Sequence, residues 1–117
     1  MMKAVNRTRE MPLAEQVEQA VTFFTRLRGL MFRKHLPEGT GLYIAPCNSV
    51  HSCFMRFPCD VLFLDNGRRV VAMIEHMSPW RFSKIHRLAR EVLELPAGTV
   101  ERSGTQVGDA IQLSTQK

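Results

Sequence analysis

The sequence predicts a mainly β fold of the α+β class: a compact antiparallel β-sandwich or small barrel with one helix near residues 22–32 covering an opening. Six or seven short apolar segments, separated by turn residues, indicate strands. One segment carries apolar residues at helical spacing instead. The 117 residues suffice for one hydrophobic core and not for two. We therefore expect a single domain over residues 1–117.

The N-terminal part is expected to contain one short strand and the helix. Residues 2–8 form the first strand, and Met11-Pro12 is expected to break regular structure and begin a polar connection. Thr22 is a good N-cap for the helix, in which Phe23, Leu27 and Leu30 recur at helical spacing. Gly29 marks close packing or the end of the helix.

The stretch from Pro46 to Asp65 dominates the sequence, because it contains all three cysteines and an arginine within an apolar run. As a strand, residues 50–57 would place His51 and Arg56 on opposite faces. Both faces carry large apolar groups, so we expect this strand to be covered on both sides. A guanidinium in such a place needs an acidic partner or an anionic ligand.

Asp65-Asn66-Gly67-Arg68 is the clearest turn signal. Asn-Gly suits a type I′ hairpin turn with Gly67 at positive φ, which would pair residue 63 with 70 and residue 62 with 71. Residues 75–87 are irregular and predict a surface excursion. Residues 92–95 predict a strand closed by Pro96-Ala97-Gly98, and residues 110–113 predict the last strand.

Composition excludes several classes of protein. A hydrophobic fraction of 44% and a charged fraction of 23% are ordinary for a globular chain and argue against disorder. No apolar run approaches the roughly 20 residues of a membrane-spanning helix, and the charged N-terminus lacks the apolar centre of an export signal. We therefore predict a cytoplasmic protein whose three cysteines remain thiols.

A basic and aromatic cluster follows the predicted hairpin. The formal net charge of +5 permits attraction to polyanions. Nucleic-acid binding is kept as an alternative to a solvated basic loop, which is favoured. The candidate residues for that alternative are Trp80, Arg81, Lys84, Arg87 and Arg90.

Four blocks in the same order resemble the domain of unknown function 192 family. They are R-L-R-G-L-M-F-R (26–33), the whole stretch 46–65, V-L-E-L-P-A-G (92–98) and V-G-D (107–109). The resemblance implies a compact, jelly-roll-like β domain found in bacteria and archaea, with no established reaction. The family pattern is matched by Gly29, Leu30, Met31, His51, Met55, Asp60, Asp65, Glu94, Gly98 and Asp109. Relatives more often carry apolar or aromatic residues at the positions of Cys53 and Cys59.

Four residues are the candidates for binding a ligand: His51, Arg56, Asp60 and Glu94. Arg56 is interpreted first as half of an ion pair with Glu94, Asp60 or Asp109, because Glu94 interrupts V-L-E-L as Arg56 interrupts F-M-R-F. The alternative is that Arg56 clamps an anionic ligand. His51 is a ligand candidate or a core residue bonded to a carbonyl.

Cys47, His51, Cys53 and Cys59 are weak candidates for a metal site, since their spacing lacks tight Cys-x-x-Cys pairs. A cysteine nucleophile activated by His51 is also considered, but a strand interior offers little to stabilise a thiolate. We therefore predict no metal, no cofactor and no catalytic residue. The favoured function is a small β domain that binds an unknown small ligand or protein; a basic RNA-associated module and a thiol- or metal-dependent enzyme are alternatives.

Overall fold

The structure, a computed structural model, describes residues 1–115. It contains seven strands and two short helices. In chain order they are β1 (Met2–Asn6), β2 (Met11–Ala20), α1 (Phe23–Arg28), β3 (Thr40–Ile44), β4 (Cys59–Leu64), β5 (Val70–Met77), β6 (Glu91–Pro96), α2 (Thr99–Ser103) and β7 (Ile111–Thr115).

All seven strands belong to one sheet in the order β5-β4-β6-β3-β2-β1-β7. The sheet curls until the starts of its two edge strands meet: the Val70 amide donates to Asp109 O at 2.9 Å, and the Ile111 amide donates to Arg68 O, also at 2.9 Å. The result is a partly closed barrel, which confirms the predicted mainly β fold. One detail differs, because β2 and β3 are parallel, with α1 in the connection between them.

The central strands β3, β4 and β6 are buried on both faces. Alternation along β4 places Leu62 and Leu64 in one core cluster, inside the barrel, and Val61 and Phe63 in a second cluster on the outer face. β4 accordingly reads as a continuous apolar run in which every residue is buried. The outer cluster is covered by the long connections, so these loops are packed parts of the fold.

Residues 50–57 do not form the predicted strand. This segment is a loop in which His51 alone pairs, in an isolated bridge with Phe82, and Phe54 has a φ of 64°. Val50 and Met55 are buried against the outer cluster. Its apolar residues therefore reflect burial of a loop, and not the alternation of a strand.

The hairpin lies where it was predicted, but its geometry is different. Positive φ belongs to Arg68, at 59°, and not to Gly67. The Asp65 amide donates to Arg69 O, which leaves a three-residue loop. Asp65 Oδ1 accepts from the amides of Gly67 and Arg69 at 2.9 and 3.0 Å, and β4–β5 pairing is shifted to Leu64↔Val70. The aspartate side chain therefore determines the turn type.

Two further predictions about the N-terminal half were wrong in part. Met11 and Pro12 do not break structure but begin β2, with Pro12 exposed and paired with Val5. α1 has only six residues, although Thr22 is its N-cap as predicted, with a capping box to Thr25. α2 was not predicted from the sequence.

Candidate functional site

Three connections together form a layer over the outer face of β3, β6 and β4. We call residues 21–36, 46–58 and 78–90 the cap. Its middle segment joins the other two: the Phe32 amide donates to Phe54 O at 3.0 Å, the Ser52 amide to Arg81 O at 2.8 Å, and the His86 amide to Asn48 O at 2.9 Å. The cap therefore behaves as one hydrogen-bonded layer, although it contains a single helix.

Glu94 lies beneath the cap. It pairs with Leu42 and Val61 in the sheet, and only 3% of its surface is exposed. Within residues 1–115, two buried side-chain nitrogen or oxygen atoms lack a hydrogen-bond partner: Glu94 Oε1, an acceptor, and Arg26 Nε, a donor. Since an unmade hydrogen bond on a buried polar group is costly, the shared location of these two atoms requires an explanation.

Both atoms belong to residues that line the same recess. Its volume is about 40 Å³, and α1 forms its roof while β3 and β6 form its floor. Two wider cavities adjoin it. One of about 250 Å³ shares Arg26 and Cys47 with the recess, and one of about 330 Å³ shares Arg28 and Gly29. The recess has room for about one small polar group, and it shares lining residues with each of the two larger cavities.

The electrostatics of the recess are unusual for a glutamate. Burial raises the pKa of Glu94 to about 7, and the positive charge of Arg33 opposes this only in part. Arg33 itself forms a salt bridge with Glu18, in which Nη2 lies 2.5 Å from Oε2. A carboxyl group poised near neutrality takes up or releases a proton when a charged group enters beside it.

Gly29 ends α1 beside Glu94. Its φ is 48°, and a Cβ atom there would lie 3.8 Å from Glu94 Oε1. Gly29 also forms the C-terminal cap of α1, where its amide donates to Thr25 O. The predicted role of Gly29 as the end of the helix is therefore confirmed, and its positive φ, not close packing, favours glycine at this position.

The cysteines are free thiols in three different environments. Burial raises the pKa of the Cys47 thiol, and Cys47 Sγ donates to Ser49 O at 3.0 Å. Burial also raises the pKa of Cys59, with the charge of Glu94 adding to it. Neither thiol is activated as a nucleophile by these surroundings. No group of three or more His, Cys, Asp or Glu side chains that could hold a metal occurs within residues 1–115, so Cys47, His51, Cys53 and Cys59 are not gathered into one ligand set.

His51, a predicted ligand-binding residue, lines the recess. Its Nδ1 accepts from the Cys53 amide at 3.2 Å, which leaves the proton on Nε2, 3.3 Å from Leu27 O. The ring thus links the middle segment of the cap to α1.

The predicted ion pair of Arg56 was wrong. Arg56 is exposed, and its side chain has no salt-bridge partner among the described residues. The physical reason is that Arg56 lies in the cap loop, not on a strand beside Glu94. Asp109 is paired with Arg9 at 2.7 Å instead. Arg56 does not line the recess, so its role as a ligand clamp is not supported.

Asp60 faces the inside of the barrel, and backbone amides donate to both of its carboxylate oxygens. Oδ1 accepts from the His76 amide at 2.9 Å, and Oδ2 accepts from the amides of Gly98 and Val100 at 3.1 and 2.8 Å. Asp60 therefore caps α2 from a neighbouring strand. These three hydrogen bonds give Asp60 a structural role. In this respect Asp60 differs from Glu94.

The basic and aromatic cluster lies on the surface of the cap, as predicted. The side chains of Trp80, Arg81, Lys84, Arg87 and Arg90 are all exposed. Trp80 contacts Phe54, with ring centroids 4.6 Å apart, and Phe54 contacts Phe32 at 5.3 Å. No local sequence pattern predicts that these three rings meet, because they come from three different segments.

Sequence reasoning also missed Arg26 and Arg28 as residues of the recess. The signal that could have found them is their position in the R-L-R-G-L block around Gly29.

No helix of the described chain is both long and apolar enough to cross a bilayer.

Fold and site together describe a small protein with a curled seven-stranded half-barrel, whose long loops cover a buried carboxyl group with one unpartnered oxygen. The sequence profile of the DUF192 family, described as an uncharacterized ACR, matches residues 4–113. The chain belongs to this family, as the ordered sequence blocks predicted.

Curated relatives agree over nearly the whole chain. A UPF0127 protein of Pyrococcus furiosus is 34% identical over 113 residues, which are 92% of this chain and 95% of the relative. A UPF0127 protein of Thermococcus sibiricus is 31% identical, covering 97% of this chain and 75% of its own length. These names carry no established function.

Two solved structures share the fold. A protein of unknown function from Novosphingobium aromaticivorans aligns with a TM-score of 0.78 at 21% identity, covering 95% of this chain and 82% of its own. A Sinorhizobium meliloti protein described as a candidate transcription regulator aligns with a TM-score of 0.81 at 26% identity, covering 95% of this chain and 90% of its own.

Proposed function

We propose that the chain is a binding domain for a small zwitterion of the amino-acid type, held in the recess beneath α1. The observation that carries the proposal is that two residues lining one recess each have a buried, unpartnered polar atom, an acceptor on Glu94 and a donor on Arg26. A ligand that supplies one N–H donor and one acceptor would satisfy both.

The charges around the recess support a zwitterion over a simple cation or anion. An ammonium group complements the Glu94 carboxylate in the enclosed part. A carboxylate complements Arg26, and the adjoining cavity of about 250 Å³ is lined by Arg26 and Arg90. A cation alone would leave the Arg26 donor without an acceptor. An anion alone would be repelled by the Glu94 carboxylate. The free thiols support the predicted cytoplasmic location, which we keep as part of the proposal.

The proposal has a specific pH signature. An ammonium binds the ionised form of Glu94, whose pKa is about 7 in the free protein. Binding at pH 6 therefore first requires loss of a proton, whereas at pH 8 the carboxylate is already formed. We expect affinity about tenfold higher at pH 8 than at pH 6.

The experiment is a thermal-shift and calorimetric titration with glycine, L-alanine and L-serine as probes. Methylamine and acetate serve as probes that carry only one of the two charges. A probe at ten times its Kd should stabilise the fold by roughly 1.4 kcal/mol, or about 5 °C in Tm. Glu94→Gln should abolish binding, while Glu75→Gln, a matched change at an exposed glutamate, should preserve it. Absence of binding by all three amino acids, or binding that survives Glu94→Gln, would disprove the proposal.

A further inference from the structure

The charge of the chain is divided sharply between the cap and the rest of the molecule. Nine of the 16 lysines and arginines lie in the cap, and none of the 11 aspartates and glutamates does. The remaining residues carry seven basic and 11 acidic side chains. The modest net charge of +5 thus conceals a strongly cationic face and an acidic body.

Exposed apolar side chains are concentrated on the same face. Ten of the 12 large hydrophobic residues exposed in residues 1–115 belong to the cap, and Met1 and Val107 are the other two. Phe24 is 77% exposed and Leu88 is 71% exposed. Leaving so much apolar surface in water is unfavourable unless another surface covers it. The ten cap residues are Val21, Phe23, Phe24, Leu27, Phe32, Phe54, Trp80, Phe82, Ile85 and Leu88.

The exposed apolar residues of the cap, which we call the patch, include rings from different segments that meet one another. The Phe54 ring contacts the rings of both Phe32 and Trp80, and the His51 ring lies 6.3 Å from that of Phe82. Hydrogen bonds between the three segments hold these rings in place. The fold itself therefore holds these rings of the patch in position.

We propose that the cap is a docking surface for anionic lipid bilayers. Exposed aromatic and aliphatic side chains insert into the headgroup region, and the arginines and lysines among them contact lipid phosphates. The single tryptophan, Trp80, is 56% exposed within this patch, a position that suits its preference for the membrane interface.

Two other occupants fit the patch less well. Single-stranded nucleic acid stacks on aromatic faces, but four of the ten exposed residues are aliphatic: Val21, Leu27, Ile85 and Leu88. A second copy of the chain, related by two-fold symmetry, would bring two caps of nine positive charges together with no acidic residue between them. A bilayer with acidic lipids supplies both the apolar interior and the negative charge.

Vesicle binding tests the proposal with the unmodified chain. Vesicles of phosphatidylcholine and phosphatidylglycerol at a ratio of about 3:1 should bind the protein at least ~10-fold more tightly than phosphatidylcholine alone. Trp80 emission should move to shorter wavelength on binding, and raised salt should weaken the interaction. Trp80 reports directly on the patch, because the chain has no other tryptophan.

Matched variants separate the cap from the rest of the surface. Lys84→Gln with Arg87→Gln should weaken vesicle binding by roughly 30-fold, while Arg7→Gln with Arg102→Gln, also at exposed positions, should have little effect. Phe24→Ser with Leu88→Ser should weaken it at least ~10-fold, and Val107→Ser should not. All of these side chains are exposed, so the variants should fold.

Several results would overturn the proposal. Failure to bind the anionic vesicles would do so, as would binding that the cap variants leave unchanged. Tight binding of a 20-nucleotide single-stranded RNA without vesicle binding would assign the patch to nucleic acid. Concentration-dependent dimerisation abolished by Phe24→Ser and Leu88→Ser, without vesicle binding, would assign it to a second copy.

Discussion

The two faces of the central strands each bury a carboxyl group, and they treat it in opposite ways. On the inner face, three backbone amides donate to Asp60. On the outer face, Glu94 Oε1 has no partner, and burial raises the pKa of Glu94 to about 7. The hydrogen bonds of Asp60 stabilise the fold, whereas burial of Glu94 without a partner for Oε1 lowers the free energy of unfolding. Stability alone explains the first residue and not the second.

The sharpest test of the inner face is Asp60→Ala. Removing this carboxylate leaves three amide donors without an acceptor and removes the cap of α2. We expect a loss of about 3–5 kcal/mol in the free energy of unfolding, measured by urea denaturation.

Asp60→Asn is the conservative control. It keeps one oxygen for Gly98 and Val100 and turns its amide group toward the His76 amide, so it should cost about half as much. An effect of Asp60→Ala below about 1 kcal/mol would contradict the structural role of this residue.

Replacing the buried carboxyl group of the outer face should have the opposite effect on the free energy of unfolding. The pKa of Glu94 is about 7 in the folded chain, against 4.5 for the unperturbed group. The folded state therefore binds the proton more tightly, and its stability falls as pH rises from about 4.5 through 7. Glu94→Gln removes this term and should stabilise the protein by about 3 kcal/mol at pH 8.

Comparison with the unmodified chain isolates Glu94 from other titrating groups. At pH 4 the two proteins should unfold with nearly equal free energy, and the difference should develop between pH 4 and pH 8. Destabilisation by Glu94→Gln at pH 8 would mean that the carboxylate is satisfied, and the contrast between the faces would disappear.

Sequence reasoning identified the inner face better than the outer one. Apolar runs and turn residues located β4 and β6, and Asp65 to Arg68 located the hairpin, because these signals are local. The type of turn was missed because it depends on which backbone amides donate to the Asp65 carboxylate. The parallel β2–β3 pair depends on a crossover that leaves no local pattern.

The cap could not be predicted in the same way. Its apolar residues are buried by packing of irregular loops, so periodicity suggested a strand at residues 50–57 that is absent. Arg56 and Glu94 looked alike because each interrupts an apolar run, yet one is exposed and the other buried. The recess itself exists only once Arg26 and Gly29 meet Glu94, a contact between distant parts of the chain.

The smallest expected effect concerns how the two helices are capped. α2 is capped by Asp60 from within the barrel, but α1 is capped locally by Thr22, and none of its residues is buried. Thr22→Ala should therefore cost about 1 kcal/mol locally, because α1 can open without unfolding the barrel. Hydrogen exchange of the Arg26 and Gly29 amides should accelerate about fivefold, while the amides of β4 remain unchanged. If β4 exchange accelerates equally, the cap and the barrel unfold as one unit, and the outer face is no less integral to the fold than the inner one.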